Sequence, residues 1–205
     1  MIVKICGLTR PDDAALASAL GATALGMIFW PASPRAVTRE QARAIVAAAP
    51  PGLLTVGVFV NPTREELEAV MNEVPLGAVQ LHGDETPSFV ASLPWPVIKG
   101  LGLPSTGGPP MLDEWGEGVR ILIDAHDPVK RGGTGRTTDW TRAAMLARRR
   151  PIILAGGLHA DNVGEAIRQV GPAGIDVSSG VERAPGIKDE MKLRALFEAL
   201  GRVEA

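Results

Sequence analysis

The sequence predicts an α/β fold, a small closed (β/α)8 TIM barrel, from two observations. Short apolar, strand-like runs recur eight times, and their starts lie 19 to 32 residues apart. Most of the intervals carry the signals of one helix, and each has room for a helix and two short loops. Eight repeats favour a barrel, because an open doubly wound sheet usually has about five or six strands. We expect one barrel domain over residues 1–205.

The eight predicted strands are short apolar runs of four to six residues. In chain order they are Ile2 to Cys6, Ala24 to Phe29, Leu54 to Phe59, Ala78 to His82, Val97 to Leu101, Val119 to Asp124, Pro151 to Leu154 and Gly174 to Ser178.

The first three intervals begin with signals of a helix N-terminus. Thr9 is expected to cap a helix that starts near Pro11. Thr38 and Gln41 form a predicted capping box for the second helix, and the run from Asn61 to Glu66 opens the third. The fifth interval differs, because prolines and glycines are dense between Pro104 and Gly118. We expect the fifth helix to be missing or reduced.

Alternation of side chains along each strand predicts which polar residues point into the barrel. The expected inward residues are Lys4, Cys6, Gln80, His82, Lys99, Leu122, Asp124, Asp176 and Ser178. Active sites of such barrels lie at the carboxyl ends of the strands. Four of these residues, each the last inward residue of its strand, therefore form a candidate site: Cys6, His82, Asp124 and Ser178. Lys4, Gln80 and Asp176 are expected to form a polar layer beneath it.

Glycine-rich sequences follow the last two predicted strands. Gly156 and Gly157 follow the seventh, and the eighth continues into Ser178-Ser179-Gly180. Glycines let backbone amides approach a ligand closely, and barrels often bind phosphate between these two loops. We expect a phosphate site there, although each glycine alone is equally compatible with an ordinary turn.

The composition excludes several classes of protein. The chain has 21 basic and 23 acidic side chains, which argues against nucleic-acid binding. A long apolar segment is absent from the sequence, so we expect no membrane insertion and a cytoplasmic location. The single cysteine, Cys6, cannot form an internal disulfide. The sequence leaves the oligomeric state open, and a homodimer is compatible with it.

Seven motifs, in order, resemble those of the phosphoribosylanthranilate isomerase family of tryptophan biosynthesis. They are Lys4-Ile-Cys-Gly-Leu-Thr-Arg10, Ser33-Pro-Arg35, Gln80-Leu-His-Gly-Asp-Glu85, Leu122-Ile-Asp124, Gly132-Gly-Thr-Gly135, Ala155-Gly-Gly-Leu158 and Asp176-Val-Ser-Ser-Gly-Val-Glu182. The resemblance covers the whole chain. It implies an Amadori rearrangement of N-(5'-phosphoribosyl)anthranilate to 1-(2-carboxyphenylamino)-1-deoxyribulose 5-phosphate, without a cofactor.

The resemblance also implies roles for individual residues. Asp124 would be the general acid that opens the ribose ring, and Cys6 the general base that removes the C2' proton. Arg35 would bind the anthranilate carboxylate, whereas an unremarkable surface arginine is the alternative for that position. His82 and Asp176 match pocket positions without a defined role, and His82 is equally compatible with a residue that fills the barrel. The resemblance also implies that the substrate phosphate is bound by Gly156, Gly157, Ser178, Ser179 and Gly180.

Other functions remain as alternatives. The histidine-pathway aminoimidazole carboxamide ribotide isomerase runs the same chemistry on a substrate with two phosphates, but the third and fourth strands lack glycine-rich ends. Indole-glycerol-phosphate synthase would have lysines at strand ends. A metal-dependent epimerase is disfavoured because His126 and His159 match no motif, and we expect no metal site. A noncatalytic phosphate-binding barrel would be expected to have lost Cys6 or Asp124. The Gly132 to Arg136 run lacks the P-loop spacing. By the resemblance it belongs to the long connection after the sixth strand, which could close over substrate.

Overall fold

The structure, a computed structural model, describes residues 1–104, 108, 110–125 and 138–204. Eight parallel strands pair in chain order and close into a barrel when the last pairs with the first. They are β1 (Ile2–Ile5), β2 (Ala24–Ile28), β3 (Leu54–Phe59), β4 (Ala78–Leu81), β5 (Val97–Leu103), β6 (Arg120–Ala125), β7 (Ile152–Leu154) and β8 (Gly174–Val177). The predicted (β/α)8 fold class is confirmed.

The described part of the chain contains seven α-helices on the outside of the barrel. They are α1 (Pro11–Leu20), α2 (Arg39–Ala47), α3 (Arg64–Glu73), α4 (Pro87–Ala91), α5 (Trp140–Ala147), α6 (Val163–Val170) and α7 (Glu190–Glu204). A short antiparallel hairpin, β9 (Glu182–Ala184) and β10 (Ile187–Lys188), lies between β8 and α7. Within the described ranges, no helix is long and apolar enough to cross a membrane.

Helices α2 and α3 begin at the predicted N-terminal signals. The Thr38 hydroxyl accepts from the Gln41 N–H, and the Gln41 side chain accepts from the Thr38 N–H at 2.8 Å. Thr63 and Glu66 make the same reciprocal pair at α3. Each capping box satisfies two backbone N–H groups that lack a partner within the helix.

Thr9 does not cap α1, so that prediction was wrong. The N-cap is Arg10, which makes no side-chain cap hydrogen bond, and the Thr9 hydroxyl instead donates to the Gly186 carbonyl. The helix still begins at Pro11, whose ring fixes a φ angle close to that of a helix. It ends at Gly21, where φ is 111°. The hydroxyl that was predicted to cap the helix is thus bonded to a residue 177 positions away in sequence.

In the connection from β5 to β6, the described residues contain turns and no helix, which confirms the predicted loss of the fifth helix. Leu112 and Trp115 are buried there and join the core outside the barrel. The Arg150 guanidinium donates to the carbonyls of Leu112, Trp115 and Gly116 at 2.6 to 3.1 Å. One side chain thus satisfies backbone acceptors that a helix would have satisfied internally.

Apolar side chains form two separate clusters. The larger packs the outer face of the strands against the helices, and the smaller fills part of the barrel interior with Val56, Ala78, Ile98, Leu122, Ile153 and Ala155. The interior is therefore less polar than the sequence pattern predicts. Its polar residues, as expected, include Lys4, Gln80 and Asp176, and all three are buried.

The predicted orientation of β5 was wrong. Ile98 belongs to the inner cluster, and Lys99 lies on the outer face. There the Lys99 ammonium bonds the Glu85 carboxylate at 2.7 Å and lies 5.6 Å from the centre of the Trp115 ring. A buried, paired lysine can occupy the outer layer, so polarity alone assigned this residue to the wrong face.

Candidate active site

Four candidate residues meet at the carboxyl ends of the strands, as predicted. His82 Nε2 lies 3.5 Å from Asp124 Oδ2. On the opposite side, Cys6 and Ser178 follow the adjacent strands β1 and β8, and the Cys6 N–H donates to the Val177 carbonyl at 2.9 Å. Parallel strands place these four ends at one mouth of the barrel.

Cys6 lies above the buried ion pair of Lys4 and Asp176. Lys4 Nζ bonds Asp176 Oδ1 at 2.9 Å, and the Lys4 side chain is fully buried. The neighbouring strand provides the room for both groups, because a Cβ atom at Gly26 would lie 2.7 Å from Cys6 Sγ and 3.0 Å from Lys4 Nζ. Glycine at position 26 therefore allows the thiol and the ammonium to share this space.

The electrostatics of this cluster bear directly on the thiol. Burial raises the pKa of Cys6, and the nearby Lys4 ammonium opposes that rise without cancelling it. Burial alone would lower the pKa of Lys4, but Asp176 and Cys6 outweigh burial, so the net pKa of Lys4 lies above its ordinary value. Lys4 therefore stays charged beside the thiol and favours its thiolate form.

Asp124 has two oxygens in different surroundings. Oδ1 accepts from the Ala125 N–H at 2.8 Å, whereas Oδ2 faces His82. The carboxyl group is mostly buried, with 9% of the side chain exposed. The backbone contact fixes the orientation of the carboxyl group, which leaves Oδ2 to exchange a proton at the barrel mouth.

The His82 ring contacts the side chain of Gln80 and packs against the backbone of Gly100. The Gln80 amide lies 3.2 Å from His82 Nδ1, and a donating amide there leaves the ring proton on Nε2, which faces Asp124. A Cβ atom at Gly100 would lie 2.6 Å from Nδ1, so the inward position on β5 must be glycine for the ring to fit. His82 is thus a neighbour of the candidate acid and not a barrel-filling residue far from it.

The loop after β4 is fixed by contacts of Glu85 and Lys99 that the sequence interpretation did not identify. Glu85 accepts from the N–H groups of Asn61 and Gly83 and pairs with Lys99. Lys99 also donates to the Gly83 carbonyl at 2.7 Å. A Cβ atom at Gly83 would lie 2.2 Å from Asn61 Oδ1, so these contacts fill the space between the loops after β3 and β4. That packing disfavours a second phosphate site there.

Arg35 reaches the mouth from the loop after β2. It is 7% exposed, and its stem packs over Gly7, where a Cβ atom would lie 2.5 Å from Arg35 Cδ. Gly7 has φ of +71°, a backbone conformation that favours glycine. Arg35 is therefore not a surface arginine, and it lies next to the turn that follows Cys6.

Glu182 holds Arg35, and Lys188, which the sequence interpretation missed, bonds Glu182 in turn. The Glu182 carboxylate accepts from Arg35 Nε and Nη2, and from Lys188 Nζ at 2.8 Å. Burial would raise the pKa of Glu182, but the Arg35 hydrogen bonds and the Lys188 charge outweigh it, so its pKa is lowered and it is anionic at neutral pH. The motif that ends at Glu182 was visible in the sequence, but its partners were not.

The glycine-rich loops after β7 and β8 lie against each other. A Cβ atom at Gly180 would lie 1.9 Å from the Leu158 carbonyl oxygen. Gly156 and Gly157 have φ of 91° and 63°, and Ser179–Val181 form one 3₁₀ turn. Ser178 Oγ is buried and has no hydrogen-bond partner among the described residues. Backbone N–H groups and a hydroxyl of this kind suit an anionic ligand.

A metal site is not found: the described residues contain no group of three or more His, Cys, Asp or Glu side chains that could hold a metal ion. His159 contacts Asp161 at 3.4 Å in a largely exposed loop. His126 and the Gly132 to Arg136 run lie outside the described residues, so the expectation of a closing loop there stays a prediction.

The family model, the curated relatives and the solved structures of higher identity name one family. The family model described as N-(5'phosphoribosyl)anthranilate (PRA) isomerase matches residues 3–199. A curated Pseudomonas putida protein named N-(5'-phosphoribosyl)anthranilate isomerase is 48% identical over 199 residues, which are 96% of each chain. A solved phosphoribosyl anthranilate isomerase from Thermus thermophilus is 41% identical, with a TM-score of 0.88, and the match covers 99% of this chain and 100% of that one.

Two other solved relatives are described with a bound ligand and with a dimeric assembly, respectively. One, 34% identical with a TM-score of 0.81, is in complex with reduced 1-(o-carboxyphenylamino)-1-deoxyribulose 5-phosphate, and the match covers 98% of this chain and 100% of that one. The other, from Thermotoga maritima, is 33% identical with a TM-score of 0.83 and the same coverage, and is described as monomers generated from a dimeric enzyme.

Proposed function

We propose a mechanism for this chain, which belongs to the N-(5'-phosphoribosyl)anthranilate isomerase family and is an isomerase. In it, Cys6 is the general base and Asp124 is the general acid. The reaction is the Amadori rearrangement of N-(5'-phosphoribosyl)anthranilate to 1-(2-carboxyphenylamino)-1-deoxyribulose 5-phosphate in tryptophan biosynthesis. It needs one group that donates a proton and one that accepts a proton.

Asp124 donates the first proton. Its Oδ2 protonates the ring oxygen of the ribose, and the bond from that oxygen to C1' breaks while the anthranilate nitrogen shares its lone pair with C1'. The ring opens to a Schiff-base-like cation. Because Oδ1 accepts from the Ala125 N–H, Oδ2 is the oxygen that faces the barrel mouth and delivers the proton, with the His82 ring 3.5 Å away.

Cys6 removes the second proton. Although burial raises the pKa of Cys6, the Lys4 ammonium keeps the thiolate form accessible. This thiolate takes the proton from C2', and the electron pair of that C–H bond forms a C1'–C2' double bond and neutralises the cationic nitrogen. The resulting enol gains a proton at C1' and loses the hydroxyl proton at C2' to become the ketose. The Lys4 ammonium supports this step because it stabilises the thiolate in a buried site.

Two anion-binding regions hold the ends of the substrate. The loops after β7 and β8 bind the phosphate through Gly156, Gly157, Ser179 and Gly180, and Ser178 Oγ donates a hydrogen bond. Arg35 binds the carboxylate of the anthranilate ring. Asp176 pairs with the Lys4 ammonium and so holds it beside Cys6.

One observation carries this proposal: a thiol beside a buried ammonium and a carboxyl group beside an imidazole share one barrel mouth. The test is turnover of N-(5'-phosphoribosyl)anthranilate by the purified chain, followed as loss of anthranilate fluorescence. Turnover supports the proposal. Activity only on a bisphosphorylated aminoimidazole carboxamide ribotide substrate, or on neither compound, would contradict it.

Replacing Lys4 with Met tests the state of the thiol. Because the chain has one cysteine, the pH dependence of alkylation by iodoacetamide reports Cys6 alone. The midpoint of alkylation should move to higher pH in Lys4→Met, and kcat at neutral pH should fall by roughly tenfold or more, a part of what a general base contributes.

The matched control for that variant is Lys99→Met, which removes another buried lysine from its carboxylate, on the outer face of the barrel. It should lose stability but keep the alkylation midpoint of the native protein. An unchanged midpoint in Lys4→Met would show that Lys4 has no influence on the thiol.

Ser179→Asp tests the phosphate region. Gly156→Val is a poor test, because a Cβ atom at Gly156 would lie 2.9 Å from Asp124 Oδ1 and would disturb the acid as well. A carboxylate at position 179 should repel phosphate and weaken a charge-assisted hydrogen bond, an effect of about 1.5 to 3 kcal/mol. We expect KM to rise about tenfold or more, with a smaller change in kcat.

Gln169→Glu adds the same charge on the exposed face of α6 and is the control for Ser179→Asp. Inorganic phosphate should inhibit the native protein and Gln169→Glu competitively, and Ser179→Asp much less. Equal inhibition of all three proteins would place the phosphate elsewhere.

Two further expectations stay predictions. One is a homodimer, which the Thermotoga maritima relative supports, and the other is a cytoplasmic location.

A further inference from the structure

The Glu182 carboxylate holds one edge of the Arg35 guanidinium group. Arg35 Nε lies 2.9 and 3.1 Å from the two Glu182 oxygens, and Nη2 lies 2.7 Å from Oε2. Both side chains are more than nine-tenths buried. This two-pronged contact fixes the plane of the guanidinium group as well as its position.

Lys188 fixes the carboxylate in turn. Its ammonium group bonds Glu182 Oε1 at 2.8 Å and the backbone carbonyls of Cys6 and Ser178 at 2.6 and 3.2 Å. The Lys188 side chain is fully buried. Its backbone N–H donates to Asp13 Oδ2, which ties the β9–β10 hairpin to α1. Arg35 is therefore anchored to the same backbone that carries the thiol.

We propose that Glu182 and Lys188 are positioning residues that aim Arg35 at the carboxylate of the substrate and so set the preference for a carboxylated aromatic ring. This inference rests on the proposed role of Arg35. A guanidinium group has two edges that can each bind a carboxylate through a pair of N–H donors. Glu182 occupies the edge formed by Nε and Nη2. The edge formed by Nη1 and Nη2 points away from it.

The charges of the three side chains support an anionic ligand at that second edge. Arg35 and Lys188 share the single Glu182 carboxylate, and burial lowers the pKa of Lys188 in spite of that contact. Buried charges are stable when they are paired. A substrate carboxylate would balance the group, and because Glu182 already holds the side chain, binding costs little further conformational entropy.

The experiment compares two ligands by calorimetry. One is reduced 1-(o-carboxyphenylamino)-1-deoxyribulose 5-phosphate, and the other is the same compound without the ring carboxylate. The proteins are the native chain, Arg35→Met, Glu182→Gln and, as a control, Glu198→Gln, which removes an exposed carboxylate on α7. Circular dichroism and thermal melting verify that each variant folds.

We expect the native chain and Glu198→Gln to bind the carboxylated ligand about tenfold or more tightly than the other, in line with the strength of charge-assisted hydrogen bonds. Glu182→Gln should lose most of this preference, since a misaligned guanidinium group makes poorer bonds. Its affinity for the ligand without a carboxylate should stay within about twofold of native, because the phosphate contacts are intact.

Three outcomes overturn the inference, and they differ. No preference in the native chain refutes the role of Arg35 and, with it, this inference. A preference that is lost in Arg35→Met but kept in Glu182→Gln refutes only the positioning role. Equal weakening of both ligands in Glu182→Gln assigns Glu182 a purely structural role.

A measurement on the native chain serves if Glu182→Gln does not fold. The exchange of the Arg35 Nε–H with solvent, followed by NMR, should be slow both without and with the carboxylated ligand, because Glu182 holds this group in either state. Fast exchange without ligand that becomes slow only on binding would show that the substrate, and not Glu182, orders Arg35.

Discussion

Asp124→Asn is expected to lower kcat by roughly a hundredfold or more, with a much smaller change in KM, because general acids usually contribute about 10² to 10⁴ in rate. Asparagine keeps the shape of the side chain, and its oxygen can still accept from the Ala125 N–H. It has no acidic proton to give to the ribose ring oxygen, so ring opening becomes slow. Steady-state kinetics with N-(5'-phosphoribosyl)anthranilate measure both constants.

Asp161→Asn is the control for this variant. Asp161 lies on the loop after β7, is 94% exposed and contacts His159, so its loss of charge should leave kcat near native. If Asp124→Asn instead kept more than about a tenth of native kcat, the contribution would be too small for a general acid. The role of the residue would then be to orient His82.

Cys6→Ala is expected to lower kcat by a similar factor of roughly a hundred or more, again with little change in KM. Neither phosphate nor carboxylate is proposed to contact the thiol, so ground-state binding should persist. The loss of packing is limited, because the sulfur is small and lies close to Gly26. Removal of the base leaves the C2' proton in place after the ring has opened.

Cys6→Ser separates the chemistry of sulfur from its volume. A serine hydroxyl nearly preserves the shape, but at neutral pH it is a far weaker base than a thiolate, so this variant should be almost as slow as Cys6→Ala. Near-native kcat in Cys6→Ala would mean that the thiol is a small buried apolar group. In that case His82 would be the best remaining candidate for the base.

The inward positions of β1, β4, β6 and β8 were predictable because each of these strands places an apolar residue on both sides of every polar one. Lys4, Gln80, Asp124 and Asp176 each lie between such neighbours. In β5 the pattern is ambiguous, since Ile98, Lys99 and Gly100 suit either face. The need of the His82 ring for a glycine at position 100 resolves the orientation, but only the assembled barrel shows that contact.

The surroundings of Arg35 could not be predicted for a different reason. Its partner Glu182 lies 147 residues away in sequence, on a hairpin after the last barrel strand. No local periodicity links the two residues, and a buried ion pair depends on the closure of the barrel. The resemblance therefore implied that Arg35 binds a substrate carboxylate, but it did not reveal that a carboxylate of the protein accepts hydrogen bonds from the same side chain.

The assignment of Cys6 as base and Asp124 as acid is tested most directly by an isotope effect. The measurement compares kcat for a C2'-deuterated and an undeuterated substrate in Cys6→Ala and in Asp124→Asn. In Cys6→Ala, removal of the C2' proton should limit the rate, whereas in Asp124→Asn ring opening should limit it. We therefore predict the larger isotope effect in Cys6→Ala. A larger effect in Asp124→Asn, or equal effects in both variants, would contradict the assignment of base and acid.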